Sequence, residues 1–249
     1  MTLAAARRRG RPVVRRRRSI YAWNPADHPR DRRGRFTKSR TKDLTDAERE
    51  RGRAVVGSFK PKSFSSDQEA LTYLEKSRPA LTADQANAVS YYTGDAFLEI
   101  NQGLRSTGDT NNPETVAALR SAMSPTEDDL ILTRTVGMEA FGSVPVEELA
   151  GRKVVDAAFS STALGVAYGS KLGKVTMKIA VPKGTPAVFV APYTRNPMER
   201  EIVLADGMEF AVASVTPNDD FGYDMTLVVL PPPGGWPQER ERAQKGARQ

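Results

Sequence analysis

In the segment Lys174-Val-Thr-Met-Lys-Ile-Ala-Val181, the apolar residues Val175, Met177, Ile179 and Val181 alternate with Lys174, Thr176, Lys178 and Ala180. A period of two marks a half-buried strand, so this stretch predicts a sheet with one face on the core. Apolar runs predict further strands at 187–190, 202–205, 210–215 and 225–230, with Pro182-Lys-Gly184 and Asp206-Gly207 as turns between them. Helical signals come earlier, from about Thr45. Ser66-Asp-Gln-Glu69 and Thr82-Ala-Asp-Gln85 read as capping boxes, the first opening a helix through Ala70, Leu71, Tyr73 and Leu74. Asn112-Pro113 reads as an N-cap with proline at the first helical position, ahead of Val116, Ala117, Leu119 and Met123. The first strand signal is Ile131 to Val136. Helices followed by strands predict an α+β domain and not a doubly wound sheet.

The chain is long enough for one large domain or two small ones, and 39% of its 249 residues are hydrophobic, sufficient for a core. Its net charge of +7 is unevenly placed. Residues 1–42 hold 15 of the 37 basic side chains and only Asp27 and Asp31 of the 30 acidic ones, a local charge of +13. Such a run cannot bury enough apolar surface to offset its ordering entropy; it reads as a disordered handle for nucleic acid or another polyanion, or as a solubilising tail. Pro231-Pro-Pro-Gly-Gly-Trp-Pro237 stops the sheet. The expected organisation is a basic tail over 1–43, a folded domain over 44–232 and a flexible tail over 233–249. No apolar stretch follows Arg18, so no secretory signal is expected, and no segment approaches the ~20 apolar residues of a membrane span, so none is expected.

The absence of cysteine excludes disulfides, thiolate metal sites and a cysteine nucleophile. The single histidine, His28, lies in an arginine-rich stretch without metal-ligand spacing, which speaks against a Ser-His-Asp triad or a histidine-built zinc site. Neither G-x-G-x-x-G nor G-x-x-x-x-G-K-[ST] occurs. Three separated segments remain. Arg134 lies inside an apolar strand ending at Gly137; it needs a partner, either a diphosphate, which suits its planar fork of donors, or a core carboxylate. Asp156-Ala-Ala-Phe-Ser160-Ser161-Thr162-Ala163 sets hydroxyls at a strand end running into a helix, where Ser161 or Thr162 can also be a plain N-cap. Glu199 and Glu201 open an apolar strand and, if extended, face the same way. They address a cation, namely a guanidinium, a developing oxocarbenium ion or both, or else blunt a solvated strand edge.

Arginine, then Ser-Thr, then Glu-x-Glu, in this order and at these intervals, resembles the Arg/Ser-Thr-Ser/Glu-x-Glu class of mono-ADP-ribosyltransferases, in particular the domain of clostridial binary actin-modifying toxins and insecticidal vegetative proteins. Tyr92-Thr93, Phe97-Leu-Glu-Ile-Asn101 and Leu104-Arg105 are similar to that family's helix over the NAD site, and the resemblance spans roughly residues 60–230. It implies helices packed on a two-sheet β core, NAD as co-substrate, no metal, and a phage or bacterial enzyme acting as a monomer on a target protein in the host cytoplasm. By position, Arg134 is implied to grip the NAD diphosphate, Ser161 to orient the catalytic glutamate, and Thr162 to fix the strand. Glu201 is implied to be that glutamate, on the nicotinamide ribose, and Glu199 the residue that selects arginine, where asparagine-modifying relatives carry glutamine. Tyr92, Tyr168 and Lys171 complete the implied NAD site, and Tyr193 with Glu199 the substrate-recognition loop. Ala163 replaces the third hydroxyl of the family motif, and Lys171 stands where relatives tend to have arginine.

The chemistry accords with this likeness. Breaking the bond between nicotinamide and ribose develops positive charge that a fixed carboxylate, Glu201, stabilises in the transition state. The acceptor guanidinium is protonated at neutral pH, so Glu199 must orient it and help take its proton. Two alternatives stand beside arginine transfer: an NAD glycohydrolase, and a non-catalytic nucleic-acid-binding or virion-associated protein that uses the basic tail.

Overall fold

The computed structural model describes residues 41–77, 80–141, 144–165, 175–194 and 196–236; the basic segment 1–40, Tyr168, Lys171, Lys174 and the segment from 237 lie outside them. Five α-helices are described, and most begin where the sequence supplies a cap. Helix α1 (Asp46–Ser58) starts in a capping box, Glu48 N donating to Thr45 Oγ1 and Thr45 N to the Glu48 carboxylate. Helix α2 (Asp67–Lys76) has half of the expected box: Ser66 Oγ accepts from Glu69 N, but the Glu69 carboxylate turns to the backbone and hydroxyl of Ser65. Helix α3 (Ala83–Tyr91) has the full Thr82–Gln85 box. It runs through a π-helical turn, Tyr92–Ala96, kinked at Gly94, into α4 (Phe97–Ser106). Helix α5 (Pro113–Ala122) begins with proline as expected, but Asn112 makes no side-chain cap bond. None of the described helices is long and apolar enough to cross a membrane.

The strands are β1 (Thr41–Asp43), β2 (Ser124–Pro125), β3 (Leu130–Val136), β4 (Arg152–Asp156), β5 (Ser160–Leu164), β6 (Val175–Val181), β7 (Pro186–Phe189), β8 (Glu201–Leu204), β9 (Met208–Pro217) and β10 (Tyr223–Val229). They join in the order β1-β4-β9-β10-β6-β3-β5-β8-β7-β2, antiparallel except for β6 beside β10. The expected two sheets are therefore two halves of one ladder, joined at β3–β5 by only two residue pairs, Leu132–Leu164 and Thr133–Ala163. One apolar cluster unites Leu132, Ile179, Phe210 and Leu227 from one half with Phe189, Ile202 and Leu204 from the other, so the halves face each other across the main core. Alternate residues of the second half, Val188, Val190 and Val203, point the opposite way into a second cluster with Val89, Tyr92, Ile100, Leu104 and Leu119 of the helices. The period of two seen in the sequence thus serves two cores.

Strand β4 went unread because Arg152-Lys-Val-Val-Asp156 lacks apolar alternation. Lys153 is nonetheless buried there, its Nζ donating to Glu48 Oε1 at 2.5 Å and to Glu209 Oε1 at 2.9 Å. Strand β1 places Thr41–Asp43, counted with the basic tail, on β4. Downstream of 232, Trp236 is buried over Gly184, whose φ of +91° and lack of a side chain admit the indole.

Candidate active site

Strands β5 and β8 build the centre. Ala163 pairs opposite Glu201, Thr162 opposite Ile202 and Ser161 opposite Val203. Ser161 and Ala163 therefore share the face that carries Glu201, and the Ser161 hydroxyl donates to the Glu201 carboxylate. The expectation that these hydroxyls sit at a strand end entering a helix is corrected. Both lie within β5, and Thr162 does not cap: its hydroxyl is buried and donates to Ile202 O at 2.6 Å, tying β5 to β8.

Glu199 is not part of the strand. It ends a short 3₁₀ turn, Pro197–Glu199, is half-buried, and its Oε1 accepts from Asn196 Nδ2 at 3.2 Å. Arg200 then adopts the left-handed conformation, φ +50°, and β8 begins at Glu201. The two carboxylates are near enough to interact, but a turn, and not strand alternation, relates them. Burial pushes the Glu201 carboxyl up; Ser161 lowers it, Glu199 raises it and Arg134 lowers it, with a net upward shift.

Tyr92 approaches from the π-helical turn. Its buried hydroxyl accepts from Asn101 Nδ2 at 2.9 Å and is in hydrogen-bond contact with Ser161; burial pushes it up to about 12 although Asn101, Ser161 and Arg134 each act to lower it. Its ring meets Phe159 edge-on at 5.6 Å. Tyr193 is half-buried, packing against the helical cluster, and its backbone N–H donates to Val190 O at 2.8 Å.

Arg134 projects from β3 and has found a core carboxylate. Its Nη1 lies 3.4 Å from Asp156 Oδ2, while Arg105 of α4 grips the same group with Nε to Oδ1 and Nη2 to Oδ2, both at 2.9 Å. Ser160 Oγ donates to Asp156 Oδ2 at 2.7 Å, and Ala158 N to Oδ1 at 3.2 Å. Burial would raise the Asp156 carboxyl, but the two guanidinium groups outweigh it and hold the carboxyl at about 2. Arg105, Arg134, Asp156 and Ser160 line a cavity of about 440 Å³ whose other walls include Phe141 and Met177.

Ser161, Glu201, Glu199, Arg134 and Tyr92 are thus brought together, Thr162 supports them from behind, and Tyr168 and Lys171 lie outside the described residues. Among the described residues no group of three or more His, Asp or Glu could hold a metal. Asp156 and Arg200 were missed. The spacing Asp156-x-x-x-Ser160 was a usable signal for the first; nothing marked the second, since an arginine between two glutamates reads as a solvated charge.

The fold has close counterparts. The C3 exoenzyme of Clostridium limosum superposes with a TM-score of 0.60 at 17% identity, over 68% of this chain and 97% of that one. C3stau2 from S. aureus, solved with NAD, gives 0.58 at 23% identity, over 68% and 98%. The enzymatic component C2-I of the Clostridium botulinum C2 toxin gives 0.55 at 17%, over 67% of this chain but 48% of that one. At these identities the likeness is one of fold. No curated protein matches by sequence. A family model, ADP-ribosyltransferase exoenzyme, matches residues 67–229, from the start of α2 to the end of β10, and the chain belongs to that family.

Proposed function

We propose that the protein is an NAD-dependent mono-ADP-ribosyltransferase that moves ADP-ribose from NAD to arginine side chains of a target protein and releases nicotinamide. The observation that carries this reading is Glu201, held by Ser161, with Glu199 beside it and Arg134 within electrostatic reach. The residues fit NAD. Arg134 touches Asp156 through one nitrogen, which leaves donors of its fork for a diphosphate, and Arg105 adds positive charge at the same cavity. The Glu201 carboxylate stabilises the positive charge that develops as the nicotinamide bond breaks, in a site sheltered enough to strengthen that interaction. Glu199, on the exposed turn, orients the acceptor guanidinium and takes its proton. C3stau2, solved with NAD, supports the co-substrate, and Glu199 supports arginine as acceptor.

The test is incubation of labelled NAD with host-cell lysate and wild-type or Glu201→Ala protein. Glu201-dependent label on protein and nicotinamide release are expected; neither appearing overturns the enzymatic reading. Glu199→Gln is expected to keep NAD hydrolysis and lose transfer to arginine, and unchanged transfer overturns the arginine assignment. The basic segment 1–42 is proposed as a polyanion handle separate from catalysis. Deleting residues 1–40, which keeps β1, should leave NAD turnover intact and remove salt-dependent binding to nucleic acid. Action as a monomer in the host cytoplasm completes the reading.

A further inference from the structure

Arg200 stands between the two glutamates in sequence, yet its side chain runs inward. It is 1% exposed, the largest fully buried side chain among the described residues. Its backbone, φ +50° and ψ +41°, occupies the left-handed region that residues with a side chain seldom adopt. Such a conformation persists only where the surroundings over-determine it. The backbone constraints are visible: Arg200 N donates to Pro197 O at 3.1 Å, closing the turn, and Arg200 O accepts from Leu164 N at 3.0 Å, beside the Ala163–Glu201 pair that begins the β5–β8 ladder. The guanidinium supplies another. It forms an ion pair with Asp67, the first residue of α2, and passes Gly165, where a side-chain carbon would lie 3.8 Å from Nη2.

We propose that Arg200 is a positioning residue: anchored on Asp67, it holds the left-handed turn that sets the Glu199 carboxylate beside that of Glu201, and so orients the acceptor side of the site. The proposal rests on the reading of Glu201 as the NAD-facing and Glu199 as the acceptor-facing carboxylate. Because Glu199 lies in the turn and not in β8, its relation to Glu201 depends on the backbone of residue 200. Glu201, by contrast, is fixed by strand pairing and by Ser161. The groups acting on the Glu201 carboxyl are Ser161 from β5, Glu199 from the turn, Arg134 from β3 and Tyr92 from the π-helical turn. The Arg200 charge is met by Asp67 on another element, so the arginine orders the glutamates through the chain. A cation placed between them would instead compete with the acceptor guanidinium.

The test uses full-length Arg200→Gly, Arg200→Lys and Asp67→Asn, with Glu199→Gln as reference. Glycine adopts the left-handed conformation freely, so Arg200→Gly removes the side chain without backbone strain, while Arg200→Lys keeps the charge and most of the stem. The Asp67 side chain is 70% exposed, so its amide variant fills the same space and removes only the charge that meets the guanidinium, and it serves if the glycine variant does not fold. Two readouts are taken: NMR titration of the Glu201 side-chain carboxyl, and the rates of NAD hydrolysis and of transfer to agmatine. Arg200→Gly and Asp67→Asn are expected to lower the Glu201 midpoint as Glu199→Gln does. Transfer should fall by about a hundredfold, the scale of a small misplacement, with hydrolysis and the KM for NAD little changed. Arg200→Lys should retain most transfer. A Glu201 midpoint equal to wild type in Asp67→Asn, or hydrolysis and transfer falling in parallel, overturns the proposal. Should wild type cleave no NAD, the functional reading fails while the titration still decides the role of Arg200.

Discussion

Arg105 holds Asp156 through two parallel contacts of 2.9 Å, whereas Arg134 reaches the same carboxylate through one nitrogen at 3.4 Å. The two arginines therefore have different duties. Arg105 neutralises a buried acid, and Arg134 is loosely enough held to turn to a ligand. Asp156→Asn leaves Arg105 without its counter-charge and should cost about 3 kcal/mol, as breaking a buried pair does. Arg134→Lys keeps the Arg105 pair and should cost less than about 1 kcal/mol. It should still weaken NAD binding, because an ammonium lacks the guanidinium fork. Urea unfolding and calorimetric NAD titration separate the two effects.

Tyr92 links the helical layer to strand β5 through its hydroxyl, which meets both Asn101 and Ser161. Tyr92→Phe retains the edge-on contact with Phe159 but leaves the Asn101 amide unpaired in a buried site. A loss of about 1–2 kcal/mol is expected, measured by thermal unfolding. Because Ser161 loses a neighbour that helps orient it, kcat for NAD hydrolysis should fall while KM changes little.

How much of this was legible depended on whether a residue's role is local. The capping box at Thr82 and the alternation at Val175–Val181 appear as expected, since caps and strand faces are set by near neighbours. The order of Arg134, Ser161-Thr162 and Glu199-Arg-Glu201 pointed to one site, and the fold brings these residues together. What could not be read depends on partners distant in sequence. Lys153 in β4 looks like a surface charge until Glu48 and Glu209 arrive from α1 and β9. Asp156 needs Arg105 from α4, and the buried Arg200 meets Asp67 from α2, more than a hundred residues away in sequence. The strand geometry assumed for Glu199 failed for the same reason: a buried arginine and a left-handed backbone, invisible in the string Glu-Arg-Glu, replaced it with a turn.

Acid should test the tie between α1 and the sheet. Burial would raise the Glu48 carboxyl, but the Lys153 ammonium and the Thr45 donors bring it from 4.5 down to about 2. A carboxylate whose native value is depressed contributes stability above its unfolded value and loses it as pH falls through the native one. The contribution should therefore be complete above about pH 5 and nearly gone near pH 2. Urea midpoints across that window should fall more steeply for wild type than for Glu48→Gln, which is expected to be less stable at neutral pH and to lose less on acidification.

Glu201 has the opposite shift and predicts the opposite displacement in catalysis. In the proposed mechanism its ionised form acts, and burial together with Glu199 raises its carboxyl despite Ser161 and Arg134. The acid limb of kcat/KM for NAD hydrolysis should therefore lie above the ordinary glutamate value of 4.5, since that profile reports the free enzyme. Glu199→Gln removes a like charge and should move the limb to lower pH, whereas Ser161→Ala removes a hydrogen bond to the carboxylate and should move it higher. Opposite displacements by the two variants identify Glu201 as the titrating group; a limb that neither variant moves assigns the titration elsewhere.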